Sequence, residues 1–290
     1  MSRIDLHMHT CFSDGEFIPE EVIDRAIRNN VEIISISDHN SVKAIERALN
    51  YSKGKNIKVI PGIEIDCTFN NIDLHLLGYN IDYKEKDFYE LEESIFNQEI
   101  AASKEKIKKI KEYTGLNLSE DEVLKRSVNG VVTGELIAEI FLEDDENRKS
   151  PILKPYQDGG DRSDMPYVNF YWDYFAQGKP AYIPMEFISL KEAINLIHRS
   201  GGQAVIAHPG NNLKDNLDLI DELIKEGIDG IEVYSSYHTK DQVEYFYNKA
   251  INNNMIITCG SDFHGKIKPN IEIGKFDFEP ENISIEEILK

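Results

Sequence analysis

Histidines and carboxylates recur along this chain in short clusters of the kind that bind divalent metal ions. In Asp5-Leu6-His7-Met8-His9-Thr10 two histidines stand two apart in a β-prone run. On a strand that spacing turns both imidazoles to one face, where they can share an ion. Gly260-Ser261-Asp262-Phe263-His264-Gly265 repeats the spacing with a carboxylate and an imidazole. Between the two pairs lie Asp38-His39, Glu64 shortly after Pro61-Gly62, His75, and His208 in Ala207-His208-Pro209-Gly210. Asp14, in Ser13-Asp14-Gly15, suits a ligand and a turn equally. Imidazole and carboxylate donors suit Zn or Mn, and the chemistry that they support is metal-assisted hydrolysis. Glu64 is the one glutamate of the set and so the natural bridging carboxylate.

The elements that must position these groups alternate. Seven β-rich runs occur, at Ile4 to Met8, Ile33 to Ser37, Lys58 to Pro61, Leu74 to Gly78, Ala204 to Ala207, Gly230 to Val233 and Ile256 to Thr258. Helical patterns separate several of them. Pro19 to Asn29 is one, and Ser189 with Glu192 forms a capping box for a helix that stops at Gly201-Gly202. This βα alternation predicts an α/β fold with a mostly parallel sheet. The ionisable residues fall on or just after apolar strand runs, where burial is costly unless they are paired or bind metal. In barrels, functional residues from distant strands meet at the carboxyl rim. The alternation lapses over residues 84–186, where Phe88, Leu91, Ile95, Ile107 and Ile110 mark an amphipathic helix and Ser119 with Glu122 caps another. We expect residues 1–83 and 187–290 to form the metal-binding unit and 84–186 an inserted, mainly helical subdomain. Within the insert, Glu143 to Pro166 lacks helical periodicity and reads as a long loop.

Composition limits the partners. Of 290 residues, 32 are basic and 52 acidic, giving a net charge of -20 that repels long nucleic acids. A small anionic substrate would be repelled too, unless bound cations invert the potential within the site. No apolar run approaches the ~20 residues needed to span a bilayer, and the N-terminal residues lack a signal-peptide core, so a cytoplasmic protein is expected. Cys11, Cys67 and Cys259 have no disulfide or thiolate-zinc spacing and are expected to be small buried apolar residues.

Taken in order, Asp5-Leu6-His7-Met8-His9-Thr10 with Ser13-Asp14-Gly15, Ser37-Asp38-His39, Pro61-Gly62-Ile63-Glu64, His75, Ala207-His208-Pro209-Gly210 and Gly260-Ser261-Asp262-Phe263-His264 resemble the motifs of the polymerase and histidinol phosphatase (PHP) superfamily. Phe175 to Pro184 and Gly201-Gly202-Gln203-Ala204 resemble its TrpH-like metal-dependent phosphoesterase subgroup. The resemblance implies a distorted (β/α)7 TIM-like barrel that holds two or three divalent ions, Zn, Mn or Fe. It places one ion on His7, His9, Glu64 and Asp262. A second would share Glu64 and take His75 and His208, and a third would use Asp14, His39 and His264. The implied activity is hydrolysis of a small phosphorylated metabolite, either a phosphate monoester or a cyclic phosphodiester, by metal-activated hydroxide. Asp262, His264 or His39 would relay a proton to the leaving group.

One departure bears on substrate. The subgroup commonly shows Val-Thr-Arg-Pro-His-Ile-Ala, whose Arg and His hold phosphate, whereas Val132 to Ala138 reads Val-Thr-Gly-Glu-Leu-Ile-Ala. Arg162 and Lys179 of the insert are the expected replacements, as a two-donor fork and a point charge. His238 is expected either to support a metal ligand or face substrate, or else to be a surface-loop histidine, and Glu232 to orient a metal-binding imidazole. His198, in the last turn of its helix, suits a surface cation, and the aromatic residues from Tyr167 to Phe175 suit a small core. Two rival enzymes remain: an amidohydrolase-type metal hydrolase, for which no ligating Lys is found, and an exonuclease-like PHP module, disfavoured by the acidic balance. A metal-binding protein without catalysis is a third reading, disfavoured because every ligand type is present.

Overall fold

Why ligands spread over more than 250 positions can meet follows from the strand order. The computed structural model describes residues 3–214 and 216–289. Its strands are β1 (Ile4–Asp5), β2 (Ile33–Ile36), β3 (Lys58–Phe69), β4 (Ile72–Tyr79), β5 (Ile188–Ser189), β6 (Gln203–Ile206), β7 (Gly230–Ser235) and β8 (Ile256–Gly260). Seven of them form one sheet in the order β1-β2-β3-β4-β6-β7-β8, and β5 pairs with β3. The ends of the sheet come together: Leu6 N donates to Cys259 O at 2.9 Å, Asp262 N to His7 O at 2.8 Å and His9 N to Phe263 O at 2.9 Å. The fold is therefore a distorted seven-stranded α/β barrel.

The helices are α1 (Pro19–Arg28), α2 (Ile45–Tyr51), α3 (Lys86–Thr114), α4 (Glu120–Arg126), α5 (Gly134–Glu143), α6 (Pro166–Tyr174), α7 (Leu190–Arg199), α8 (Pro209–Leu213), α9 (Ile220–Glu226), α10 (Lys240–Asn252) and α11 (Ile285–Ile288). α1 starts at Pro19, whose fixed φ suits a first turn, and buries Val22, Ile23 and Ala26 on one face. The Ser189–Glu192 capping box is present at α7, and Ser119 accepts from Glu122 N at α4. No helix among the described residues is long and apolar enough to cross a membrane.

Two departures from a parallel sheet matter for the site. β3 is twelve residues long and has two neighbours in succession: Lys58 to Pro61 pair with β2, and Gly62 to Phe69 pair with β4. The changeover falls at Pro61-Gly62. β4 is antiparallel to both β3 and β6, which the βα alternation does not anticipate because β3 and β4 are joined by a tight turn at Asn70-Asn71 with no helix between them. Since β4 runs backwards, its early residue His75 stands level with the late β3 residue Asp66.

The chain divides into two compact units: Met1–Leu91 with Phe187–Gly265 and Ile271–Lys290, and Glu92–Glu186 with Lys266–Asn270. The division therefore falls inside α3 rather than at residue 83, and a short C-terminal segment goes with the insert. A continuous helix carries no local signal at such a boundary. The first unit has one apolar cluster containing Leu6, Ile60, Leu77, Tyr79, Val205 and Ala207, closed by Ile288 of α11, and another beneath α1 and α2. In the second unit, Phe141, Leu153, Tyr156, Phe170 and Phe175 form a core. The segment read as a long loop there contains 3-10 turns at Asn147–Lys149 and Pro151–Tyr156. Leu153 and Tyr156 both reach the core from it, three residues apart, which matches the 3-10 period and escapes a search for 3.6. Cys67 and Cys259 are buried, but Cys11 is exposed, because it lies in the loop after the first motif and not on a strand.

Candidate metal centre

At the carboxyl rim of the barrel, all nine ligands expected from the sequence converge. Glu64, on β3, is completely buried. Its Oε2 lies 3.1 Å from His7 Nε2, 3.1 Å from His9 Nε2 and 3.4 Å from His39 Nε2. Its Oε1 lies 3.0 Å from His75 Nδ1 and 3.1 Å from His208 Nε2. Asp262 Oδ1 stands 3.4 Å from His7 Nε2 and 3.1 Å from His9 Nε2. His264 Nε2 is 3.2 Å from Asp14 Oδ2, and the rings of His9 and His264 stack with centroids 4.0 Å apart.

Three sets of donors each come within 4.8 Å of one another: His7, His9, Glu64 and Asp262; His39, Glu64 and His75; and His9, Asp14, His39 and His264. His39 thus belongs to two sets, and His208 meets the second through Glu64.

The proton positions show why these donors suit cations. Glu232 on β7 is buried, and its Oε1 lies 3.0 Å from His7 Nδ1. A carboxylate only accepts, so His7 donates from Nδ1 and turns Nε2 toward Glu64 and Asp262. Asp66 does the same for His39, with Nδ1 at 3.1 Å, and is itself pinned by Asn40 Nδ2 at 2.7 Å. Asn212 Oδ1 faces His208 Nδ1 at 2.9 Å. In the neutral rings the freed nitrogens therefore point at oxygens that also carry lone pairs, a conflict that a proton or a cation must relieve, and buried Glu64 Oε2 has no hydrogen-bond partner. A cation between them removes the conflict, so the donor set fits divalent metal.

Electrostatics agree. Burial works against a charged His7, yet Glu64, Glu232 and Asp262 outweigh it and hold His7 well above the usual imidazole range. His39 is likewise raised, against burial, by Glu64, Asp66 and Asp14. Burial would raise Glu64, but His7, His39 and His75 hold it well below the usual carboxylate range, and Asp14 is lowered, against burial, by His264 and His39.

Backbone strain marks the same rim. His208 has φ 24° and Asp262 φ 58°, a region that non-glycine residues rarely adopt. Gly260 is required by close approach: a β-carbon there would collide with the His7 β-carbon and with Glu232 Oε1.

A family model for the PHP domain matches residues 5–158, the stretch that carries the first five of these metal-site motifs. The chain belongs to the PHP domain family. Over 279 residues this PHP chain is 29% identical to the 5'-3' exoribonuclease Rnm of Escherichia coli, a match covering 93% of this chain and 88% of that protein. It is 28% identical over 278 residues to the 3',5'-nucleoside bisphosphate phosphatase of Chromobacterium violaceum, covering 94% and 91%. A solved structure described as an amidohydrolase from Chromobacterium violaceum superposes with a TM-score of 0.81 at 24% identity, covering 99% of this chain and 96% of that one, which is a likeness of fold.

Other expected site residues are placed elsewhere in the PHP chain. His238 is buried, with Nδ1 donating to Val233 O at 2.8 Å and Nε2 accepting from Gly210 N at 3.0 Å. Both nitrogens are therefore engaged by main chain, and burial pushes its pKa down to about 4. It serves as a neutral brace, and the substrate-facing expectation is corrected. Arg162 is held by Asp173 through two bonds, of 3.0 and 2.7 Å, so its fork already has a carboxylate partner. Lys179 is exposed in the second unit. His198 is exposed and lies 2.7 Å from Asp229 Oδ2. Asp38 accepts from Thr10 N, Thr10 Oγ1 and Ser13 Oγ and braces the loop after the first motif.

Sequence reasoning missed Asp66, Asn212 and Tyr237. Asp66 follows Glu64 by two, the spacing that identified the other pairs, and could have been found. Tyr237 donates to Asp262 Oδ2 at 2.5 Å, and no local pattern announces it.

Two predictions follow from the proton positions and the close packing. Because neighbouring carboxylates raise His7 and His39 and so favour their protonated forms, metal added to chelator-stripped protein should release protons, seen as acidification of a weakly buffered titration. His7→Ala or Glu64→Ala should lower both metal content and proton release, and Glu232→Gln should weaken metal binding roughly 10- to 100-fold. Gly260→Ala should lower metal content together with Tm, because His7 and Glu232 cannot both keep their places; elemental analysis and thermal unfolding check it.

Proposed function

We propose that the rim cluster holds two or three divalent ions, Zn, Mn or Fe, and that the protein uses them to hydrolyse a small phosphorylated metabolite. The carrying observation is the convergence of five imidazoles on one buried glutamate, with Asp14, Asp262 and His264 beside them. Bound ions acidify water and neutralise charge on phosphoryl oxygens, so no separate strong base is required. The chain's own part is to fix the ions by orienting the nitrogens that hold them. Glu232, Asp66 and Asn212 do this by setting which nitrogen each ring presents.

A proton must also reach the leaving oxygen, which requires a group that touches substrate. Among the three residues expected for this role, the side chains of His264 and Asp262 are 1% and 4% exposed, whereas that of His39 is 22% exposed. His39 is the one of the three open to an incoming phosphoester, but with Nδ1 held by Asp66 and Nε2 turned to Glu64 it meets substrate as a metal ligand and not as a free base.

The choice of substrate rests on charge and on the insert. A protein of net charge -20 attracts a small anion only where cations are concentrated. The segment that commonly supplies Arg and His is here the start of α5, where Thr133 Oγ1 accepts from Leu136 N at 3.1 Å and a β-carbon on Gly134 would press on the Phe175 ring at 2.6 Å. That segment serves packing. A monoester, such as the bisphosphate named for the Chromobacterium relative, or a cyclic phosphodiester suits the site. The likeness to Rnm supports a second reading, in which the 5' end of a short RNA enters the same site.

Phosphate release by metal-loaded protein should therefore be measured across 3',5'-nucleoside bisphosphates, sugar phosphates, cyclic phosphates and short RNA. The highest kcat/KM is expected on a small phosphorylated metabolite. A preference for RNA of several nucleotides would favour the second reading, and full activity in protein free of metal would overturn both. Lys179→Ala should raise KM on the best substrate without altering metal content if Lys179 contributes to holding phosphate.

A further inference from the structure

Among the groups around the rim, Tyr237 reaches a predicted metal ligand from a loop without a ligand of its own. It lies in the loop between β7 and α10, beyond the strand that carries Glu232. Its hydroxyl donates to Asp262 Oδ2 at 2.5 Å, and its ring stands edge-on to His208, with centroids 5.7 Å apart at 87°. It therefore touches two expected ligands that follow different strands, His208 after β6 and Asp262 after β8.

The two oxygens of Asp262 are consequently not equivalent. Oδ1 faces the Nε2 atoms of His7 and His9, while Oδ2 is occupied by the phenol. The backbone is committed as well: Asp262 has φ 58°, its N donates to His7 O at 2.8 Å, and its O accepts from His264 Nδ1 at 2.8 Å. With the main chain fixed on both sides, the remaining freedom of the residue is rotation of the carboxylate. A hydrogen bond from a ring that is itself packed against His208 removes that freedom.

We propose that Tyr237 is a positioning residue that fixes Asp262 as a one-oxygen ligand, presenting Oδ1 to the ion shared with His7, His9 and Glu64. The inference rests on the metal-centre reading given above. Without the phenol the carboxylate loses this restraint on its rotation, and ordering Oδ1 toward the ion then has to be met in larger part from binding energy. Hydrogen-bonding partners of metal ligands typically govern affinity by one to two orders of magnitude. Such an effect should fall on the one equivalent of metal that Asp262 holds.

The test is a chelator-competition titration of wild-type protein, Tyr237→Phe, Asp262→Ala and the double variant with Zn or Mn, alongside Tm of each metal-stripped protein. Tyr237→Phe is expected to weaken one equivalent of metal about 10- to 100-fold while leaving the others and the stripped Tm unchanged. In the Asp262→Ala background it should have no further effect, since the carboxylate that the phenol orients is already absent. On substrate, the loss should appear in kcat rather than KM. Unchanged metal affinity in Tyr237→Phe would overturn the proposal, as would a loss that persists with Asp262→Ala or that tracks a fall in stripped Tm. A rise in KM with unaltered metal binding would instead make Tyr237 a substrate contact. Wild-type protein that takes up no metal would overturn the metal-centre reading and this inference together, so the two failures are distinguishable.

Discussion

One carboxylate, that of Glu64, constrains the barrel rim more than any other group. It is removed entirely from water and surrounded by nitrogens of His7, His9, His39, His75 and His208, each within 3.4 Å. An unpaired buried carboxylate costs several kcal/mol even after relaxation, so the arrangement persists only if positive charge fills it. Protons can do so, which is why His7, His9 and His39 are held above their usual range. Divalent ions do so with better geometry, because each ion satisfies several lone pairs at once. Proton uptake and metal uptake thus compete for the same donors, and the protein's charge state depends on which is bound.

Much of the surrounding structure serves that cluster. The changeover of β3 from one neighbour to another at Pro61-Gly62 carries Glu64 into the rim, and the reversed direction of β4 brings His75 level with Asp66. His208 and Asp262 hold unfavourable backbone angles, and Gly260 is kept bare so that His7 and Glu232 can approach. These features oppose stability in the metal-free state. The apolar clusters beneath, among them Leu6, Leu77, Tyr79 and Val205, supply the burial that offsets them. Metal binding then adds to folding free energy, since the unfolded chain has no comparable site.

Other polar groups show how easily residue type misleads when its partner is unknown. His238 and Glu232 are close neighbours in sequence and both are buried, yet Glu232 orients a predicted ligand while His238 spends both nitrogens on main chain. Arg162 has the fork that phosphate recognition favours, and Asp173 already occupies it. In each case the deciding fact is a hydrogen bond made to another segment.

The sequence by itself determined the residues that could do the chemistry and the elements that carry them. Pairs two apart, as in His7 with His9 and Asp262 with His264, report which side chains share a face, because alternation along an extended chain is a local property. The N-cap at Ser119 and the capping box at Ser189 are local for the same reason, and Asp66 was within reach of the same spacing rule. Tertiary structure alone decided that β4 runs antiparallel, that His39 stands in two donor sets, and that Leu153 and Tyr156 pack from 3-10 turns. It also decided which atom each side chain presents, through Glu232 for His7, Asn212 for His208 and Tyr237 for Asp262. Glu232 lies 225 positions from His7. No local periodicity spans such a distance, since the pairing exists only once the sheet has closed and brought its first and last strands together.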